Sequence, residues 1–338
     1  INSDPLMITY PHCDGVLCHA VELSDVMCRD NDFGHDVRSH TYEAARTCAD
    51  KLLLAQALTK AGISHPHVYP SGIIPDRFPV IVKPSSASAA DSVHLVRDES
   101  EMEAAWKDAA AKCRNRRPIV QEYIEGRQYS IEAIVNGPIV EVFAIADRHY
   151  DGPHPMIEDG HTVPEEDTED INYIIRRFIQ AIRACGLTYG AAKGDLIARN
   201  EFRRTEPICV LEIAARSSGG RFITGTVPLA YGIHPLRSLI RMCAGDVPEP
   251  QVKRFLGGAS QRFFWPKPGR VTAISGIEEL KQDPNIAEVV LNVKVGDIVP
   301  AVKSHRDRVG WLIATGTTRQ EAYDKALHAR DSVRIETE

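Results

Sequence analysis

The sequence predicts an α/β protein built from more than one packed unit. Three observations carry this. Val80, Ile81 and Val82 form an apolar β-branched run that reads as a buried strand. Residues 170–185 repeat Ile174, Ile175, Phe178, Ile179 and Ile182 at helical spacing. Asn136–Gly137 stands between two strand-like runs, as a hairpin requires. The chain has 338 residues, more than the ~250–300 at which single cores stop growing, so two or three units are expected.

In chain order, residues 14–27 have the spacing of a strand end running into a helix. Residues 41–61 are good helix formers throughout, contain Lys51, and end at Gly62, so one helix is predicted there. After the prolines at 66, 70 and 75 comes the strand ending at Lys83, then a small-residue loop, 85–92, a short strand at 93–96 and a helix over 99–113. The run from Pro118 gives a strand that ends in a turn at Gly126, and the hairpin follows it. Residues 158–161, Glu-Asp-Gly-His, fall in a polar loop, ahead of the amphipathic helix and two strands around Asp195 and Glu212. Beyond Pro266 the pattern changes to short strand-like runs and a closing helix over 318–330. The expected organisation is a partial N-terminal α/β unit with a linking helix (1–70), a central unit (71–265) with a lid at about 75–120, and a C-terminal subdomain (266–338). Because the chain opens on Ile1, further sequence upstream is expected.

Composition narrows the class of partner. A formal net charge of −6 lacks the basic field that nucleic acid or an anionic membrane rewards, so neither is an expected partner. No run approaches the ~20 apolar residues of a membrane helix, and the opening residues lack a secretory pattern. The eight cysteines show no CxxC pair and read as reduced thiols in a cytoplasmic protein.

Several residues carry chemistry. Lys51 and Lys83 flank the connection before the small-residue loop, and lysine is a compact charge suited to phosphate oxygens. The loop has no glycine, but hydroxyls such as Ser88 could replace part of a backbone grip. Gln121, Glu122 and Ile124, at a strand end, could offer polar groups and an apolar cover to a purine. Asp195 and Glu212 each sit in an apolar strand, where an unpaired charge is costly. Two such carboxylates on neighbouring strands need a cation between them, and hard oxygen donors beside phosphates suit Mg²⁺, with Mn²⁺ the alternative; two salt bridges are the competing account. Arg216 follows Glu212 by four residues, beside Gly219 and Gly220, where its planar fork fits a carboxylate or phosphoryl group. Glu158 and His161 are a carboxylate and an imidazole three residues apart. The histidines show no HxxxH or HExxH spacing that would favour zinc.

Read in order, these elements resemble the ATP-grasp superfamily from about residue 14 to the C-terminus. The resemblance implies an ATP-grasp fold in which Lys51 and Lys83 bind phosphates, Gln121 and the backbone of Glu122 and Ile124 hold adenine, and Asp195 and Glu212 bind magnesium, with Ser88 in the loop expected to add to the phosphate grip. The runs GLTYGAAKGDLI and VLEIAARSSGG, with the EDGH segment, look most like the L-amino-acid ligase branch. There Glu158 would be a further metal ligand, His161 would lie by the substrate, and Arg216 would contact the reacting groups. The implied activity is ATP-dependent joining of a small carboxylate to an amine through an acyl phosphate, with self-association as a homodimer left open. Alternatives are a ligase or carboxylase acting on another acid, or a nucleotide-binding protein that has lost catalysis. Asp195 stands where many members have Glu, and Ala214 where many have Asn.

Overall fold

The computed structural model describes residues 39–113, 117–164, 171–199, 208–246 and 251–338. The reading of 14–27 and most of the N-terminal unit lies outside the described residues.

The predicted helix over 41–61 is two helices, α1 (Tyr42–Ala49) and α2 (Lys51–Lys60). Asp50 separates them in extended conformation, its carboxylate accepting from the N–H groups of Leu52 and Leu53. The capping preference of an aspartate has overridden the continuity of the helix formers around it. Lys51 is thereby the first residue of a helix rather than an interior one. At the far end Gly62, at φ +66°, donates to Thr59 O while Ile63 donates to Leu58 O, closing α2.

A four-stranded antiparallel sheet covers the region expected as a lid: β1 (Val68–Tyr69), β2 (Val80–Pro84), β3 (His94–Val96) and β4 (Pro118–Glu122), in the order β1-β4-β2-β3. α3 (Met102–Lys112) covers it, burying Ala105 and Ala109 against Val80, Val82, Val96 and Val120.

The centre is one eight-stranded antiparallel sheet. Its strands are β5 (Gly126–Asn136), β6 (Ile139–His149), β7 (Gly160–Val163), β8 (Tyr189–Arg199), β9 (Cys209–Ala214), β10 (Gly258–Phe263), β12 (Ile286–Leu291) and β14 (Gly310–Gly316). The order is β12-β14-β10-β7-β6-β5-β8-β9. β5 and β6 pair as the hairpin expected from Asn136–Gly137, with Asn136 opposite Ile139. Alternation along the strands separates two cores. Ile131, Ala133 and Val135 pack with Leu58 and with Ile174, Phe178 and Ile182 of α4 (Ile171–Ala184). Ile134 and Phe143 face Val227 of α5 (Val227–Tyr231) and Leu239 of α6 (Pro235–Cys243).

The loop expected at 158–161 is corrected in part. Gly160 and His161 open β7, a buried strand between β6 and β10. Four residues flanked by polar sequence give no periodic signal, and burial between two longer strands makes the element.

Beyond Pro266, β12 and β14 continue the central sheet, while β11 (Gly269–Ser275), β13 (Ile298–Val299) and β15 (Arg334–Thr337) form a small sheet of their own. With α7 (Ile277–Gln282) and α8 (Arg319–Ser332) they enclose a separate core of Phe264, Val271, Leu280, Leu312 and Ala326. A division at Pro266 is therefore one of cores, not of sheets. Among the described residues no helix is long and apolar enough to cross a membrane.

Candidate active site

A cavity of about 520 Å³ lies where the lid, the central sheet and the C-terminal segment meet. The lid contributes Lys83 and the loop from Ala87 to Asp91, and α2 contributes Lys51. The loop takes left-handed conformations at Ala89, Ala90 and Ser92, φ +61°, +55° and +55°, positions that glycine would hold without steric cost. Lys51 fastens it: its N–H donates to Ser85 O at 2.9 Å and its Nζ to Ala87 O at 2.8 Å. Burial and the neighbouring Lys51 push Lys83 down to about 7, against the pull of Glu212.

The sheet contributes the carboxylates. Asp195 on β8 stands directly opposite Glu212 on β9, with a bulge immediately after the pair. Asp195 accepts from Ser130 Oγ at 2.7 Å and Lys193 Nζ at 2.5 Å, and lies 3.1 Å from Arg148 Nη1. The salt-bridge account of this residue is thus present beside the metal account. Burial alone would raise Glu212, but Lys193, Lys51, Arg216 and Lys83 together hold its carboxyl well below the usual range. Glu158 is likewise held down against its burial by Arg148, Arg308, His161 and His305. Among the described residues no three carboxylate, histidine or cysteine side chains converge closely enough to cage a metal ion. Glu158 is linked to Asp195 through Arg148, whose Nη2 lies 3.4 Å from Glu158 and whose Nη1 lies 3.1 Å from Asp195. Two opposed carboxylates are still the donor set magnesium takes when phosphates supply the remaining oxygens, so these residues fit the ion.

Arg216 also lines the cavity. Its Nη1 donates to Ser217 O at 2.7 Å and its Nη2 lies 4.0 Å from Glu212 Oε1. His161 packs edge-on against Phe222, shares a 2.8 Å hydrogen bond with Thr226 Oγ1, and has Nδ1 3.8 Å from Glu158. Burial lowers its imidazole to about 4, so it is neutral at pH 7. Gly160 permits this arrangement: a Cβ there would lie 2.0 Å from Gln261 O on the adjacent strand.

The adenine candidates do not reach the cavity wall. Gln121 is buried in the lid sheet, opposite Val68 and Ile81. The Glu122 carboxylate accepts from Arg199 at 2.9 Å and from His67 N–H at 3.3 Å, and its own N–H donates to His67 O. Ile124 packs against Ile197, Cys209 and Leu211, and of these Leu211 lines the cavity.

The structure adds residues that sequence reading missed. Lys193, two residues before Asp195, shares its strand face and is itself a charge inside an apolar run, the signal that marked Asp195. Glu132 is fully buried opposite Lys193, accepting from Ser218 N–H at 2.5 Å. Arg148, His305 and Arg308 come from segments distant in sequence. Arg308 lies 3.6 Å over the Phe263 ring and donates to Glu158 O at 2.5 Å.

Comparison with known proteins gives two family matches, an ATP-grasp domain over residues 48–220 and an L-amino acid ligase C-terminal domain 2 over residues 262–338. An uncharacterised protein of Sinorhizobium fredii, y4rH, is 22% identical over 315 residues, covering 86% of this chain and 62% of its own length. A D-alanine–D-alanine ligase of Pediococcus pentosaceus is 33% identical over 122 residues, 33% of each chain. This chain thus spans less than two thirds of these relatives' length. The crystal structure of an L-amino acid ligase from Bacillus licheniformis superposes with a TM-score of 0.82 at 19% identity, covering 97% of this chain and 82% of that one.

Proposed function

The chain belongs to the ATP-grasp family, and on that premise we propose that it is an ADP-forming carboxylate–amine ligase acting on an amino acid. The observation that carries this reading is the Asp195–Glu212 pair, opposed across two antiparallel strands in a cavity that Lys51 and Lys83 also line.

In this reading Lys51, Lys83 and the 85–92 loop, including Ser88, hold the phosphates of ATP. Asp195 and Glu212 would hold Mg²⁺ or Mn²⁺, which neutralises phosphate charge when bound. A substrate carboxylate attacks the γ-phosphorus, giving an acyl phosphate and ADP. The amine then adds to the acyl carbon, and phosphate leaves. Arg216 would stabilise the charge that develops on the acyl oxygen, since a fixed guanidinium needs no reorganisation as the reaction proceeds. His161, neutral and tied to Thr226, orients Glu158 and is a weak base. The lid keeps water from the acyl phosphate. Adenine would stack near Leu211, with Ile124 behind it. Self-association as a homodimer belongs to the same proposal; exposed Ile240, Val252, Phe255 and Leu256 support it.

The test is ATP-dependent phosphate release over a panel of amino acid pairs with Mg²⁺. Release with at least one pair, with ADP as the nucleotide product, is expected. Nucleotide binding without turnover on any pair would favour a protein that has lost catalysis, and turnover only with bicarbonate or a non-amino acid would move the substrate class.

A further inference from the structure

Gln261 on β10 is fully buried, yet lines the cavity. Neither its Nε2 nor its Oε1 has a hydrogen-bond partner among the described residues. Its strand neighbours are His161 on β7 and Ile313 on β14. The ring of His161 is already engaged with Thr226, and the isoleucine offers nothing polar. On the cavity side lies the turn at Gly219 and Gly220. A Cβ at Gly220 would stand 4.0 Å from Gln261 Oε1, and one at Gly219 would meet nothing within 4 Å. The turn thus sets no side chain against the amide, which a small shift at these two glycines would uncover to the cavity. Arg216 Nε, Ser218 Oγ and His305 Nε2, all buried, also lack a partner among the described residues and belong to the same cavity.

A buried primary amide with neither end satisfied is costly, and beside a cavity a bound ligand is one partner that recovers that cost. The amide offers a donor and an acceptor side by side. Its complement carries an acceptor and a donor at the same spacing, as the carboxylate and amine of an α-amino acid do. A simple amine supplies only the donor and would leave Nε2 unsatisfied.

We propose that Gln261 is a specificity-determining residue for an α-amino acid in the amine-donor position. Its Nε2 donates to the α-carboxylate, and its Oε1 accepts from the α-amine. This rests on the ligase reading above and adds to it the residue that separates an amino acid from a plain amine.

The experiment compares matched probes with one acid donor: L-alanine against ethylamine, and L-phenylalanine against phenethylamine, each scored by kcat/KM for phosphate release. The wild type should prefer the amino acid. Gln261→Leu should reduce that preference roughly 10- to 100-fold through KM for the amine donor, leaving KM for ATP unchanged. It should also melt no lower than the wild type, because two unsatisfied buried atoms are gone. Gln261→Glu, which keeps an acceptor and repels a carboxylate, should shift the preference further towards the plain amine. An unchanged preference in Gln261→Leu, with or without a fall in melting temperature, would overturn the assignment. If the wild type turns over no pair, the ligase reading fails, and binding then judges Gln261. A melting temperature raised by the amino acid but not by the amine, and lost in Gln261→Leu, supports it; equal shifts in both proteins, or none in the wild type, overturn it.

Discussion

Glu132 shows how the central strands trade stability for charge. Burial pushes its carboxyl up to about 7, against the Ser218 hydrogen bond and the attraction of Lys193 and Arg216. Between its unperturbed value of 4.5 and about 7 the folded protein keeps a proton that the unfolded chain has released. This group's contribution is therefore fully present below the unfolded value and is lost as pH rises through about 7. Glu132→Gln retains an acceptor for Ser218 and cannot ionise. It should be more stable than the wild type at pH 8, by roughly 1–3 kcal/mol, with the difference shrinking towards pH 5. Thermal melts at the two pH values check this, and a variant less stable at pH 8 would show that the ionised carboxylate, drawn by Lys193 and Arg216, is the favoured state. At this scale Asp195 and Glu212 were legible because a carboxylate within an apolar run is rare without a reason. Lys193 and Glu132 carried the same signal, in AAKGDLI and YSIEAIV. For the adenine candidates the strand end did not show which way each side chain faces once a partner such as Arg199 is available.

Elements around the site depend on close backbone approaches that sequence marks only by a glycine. Gly160, at φ +156°, lets β7 lie against β10, and a Cβ there would collide with Gln261 O at 2.0 Å. Gly160→Ala should therefore force the strands apart, costing at least ~2 kcal/mol and loosening His161 from Thr226. Denaturant unfolding gives the first effect; an alanine variant as stable as the wild type would mean that the β7–β10 register is not as described. The loop at 85–92 reverses this logic, placing alanine and serine where glycine is the easy choice. Its shape is enforced from outside, by Lys51 and by His305 N–H donating to Ala89 O at 2.9 Å. Long periodic elements such as α4 and the β5–β6 hairpin were readable from their pattern alone. The break at Asp50 and the four-residue β7 were not, because capping and burial, rather than periodicity, create them.

At the scale of the molecule, the cavity exists only because three stretches distant in sequence meet. The lid loop is joined to the C-terminal segment by the His305–Ala89 bond and by Arg306 to Asp91 at 3.2 Å. Buried carboxylates of the central sheet region fix the last helix: Asp147 pairs with Arg319, and Asp159 lies 2.7 Å from Arg330 and 3.1 Å from Arg262. Breaking such buried pairs from one side is strongly unfavourable, which favours one arrangement of the C-terminal segment against the site. The order of motifs carried the family and the outline of the site, whereas Arg148, His305 and Arg308 depended on tertiary contacts that no local pattern encodes. In the proposed function this assembly makes an acyl phosphate under the control of Asp195 and Glu212. Trapping with hydroxylamine tests it most directly: with ATP, Mg²⁺ and an accepted amino acid, the wild type should form the amino acid hydroxamate together with ADP. Glu212→Gln, folded by circular dichroism and melting temperature, should form less by ~10²-fold or more. AMP and pyrophosphate in place of ADP, or wild-type hydroxamate yield from Glu212→Gln, would contradict the account.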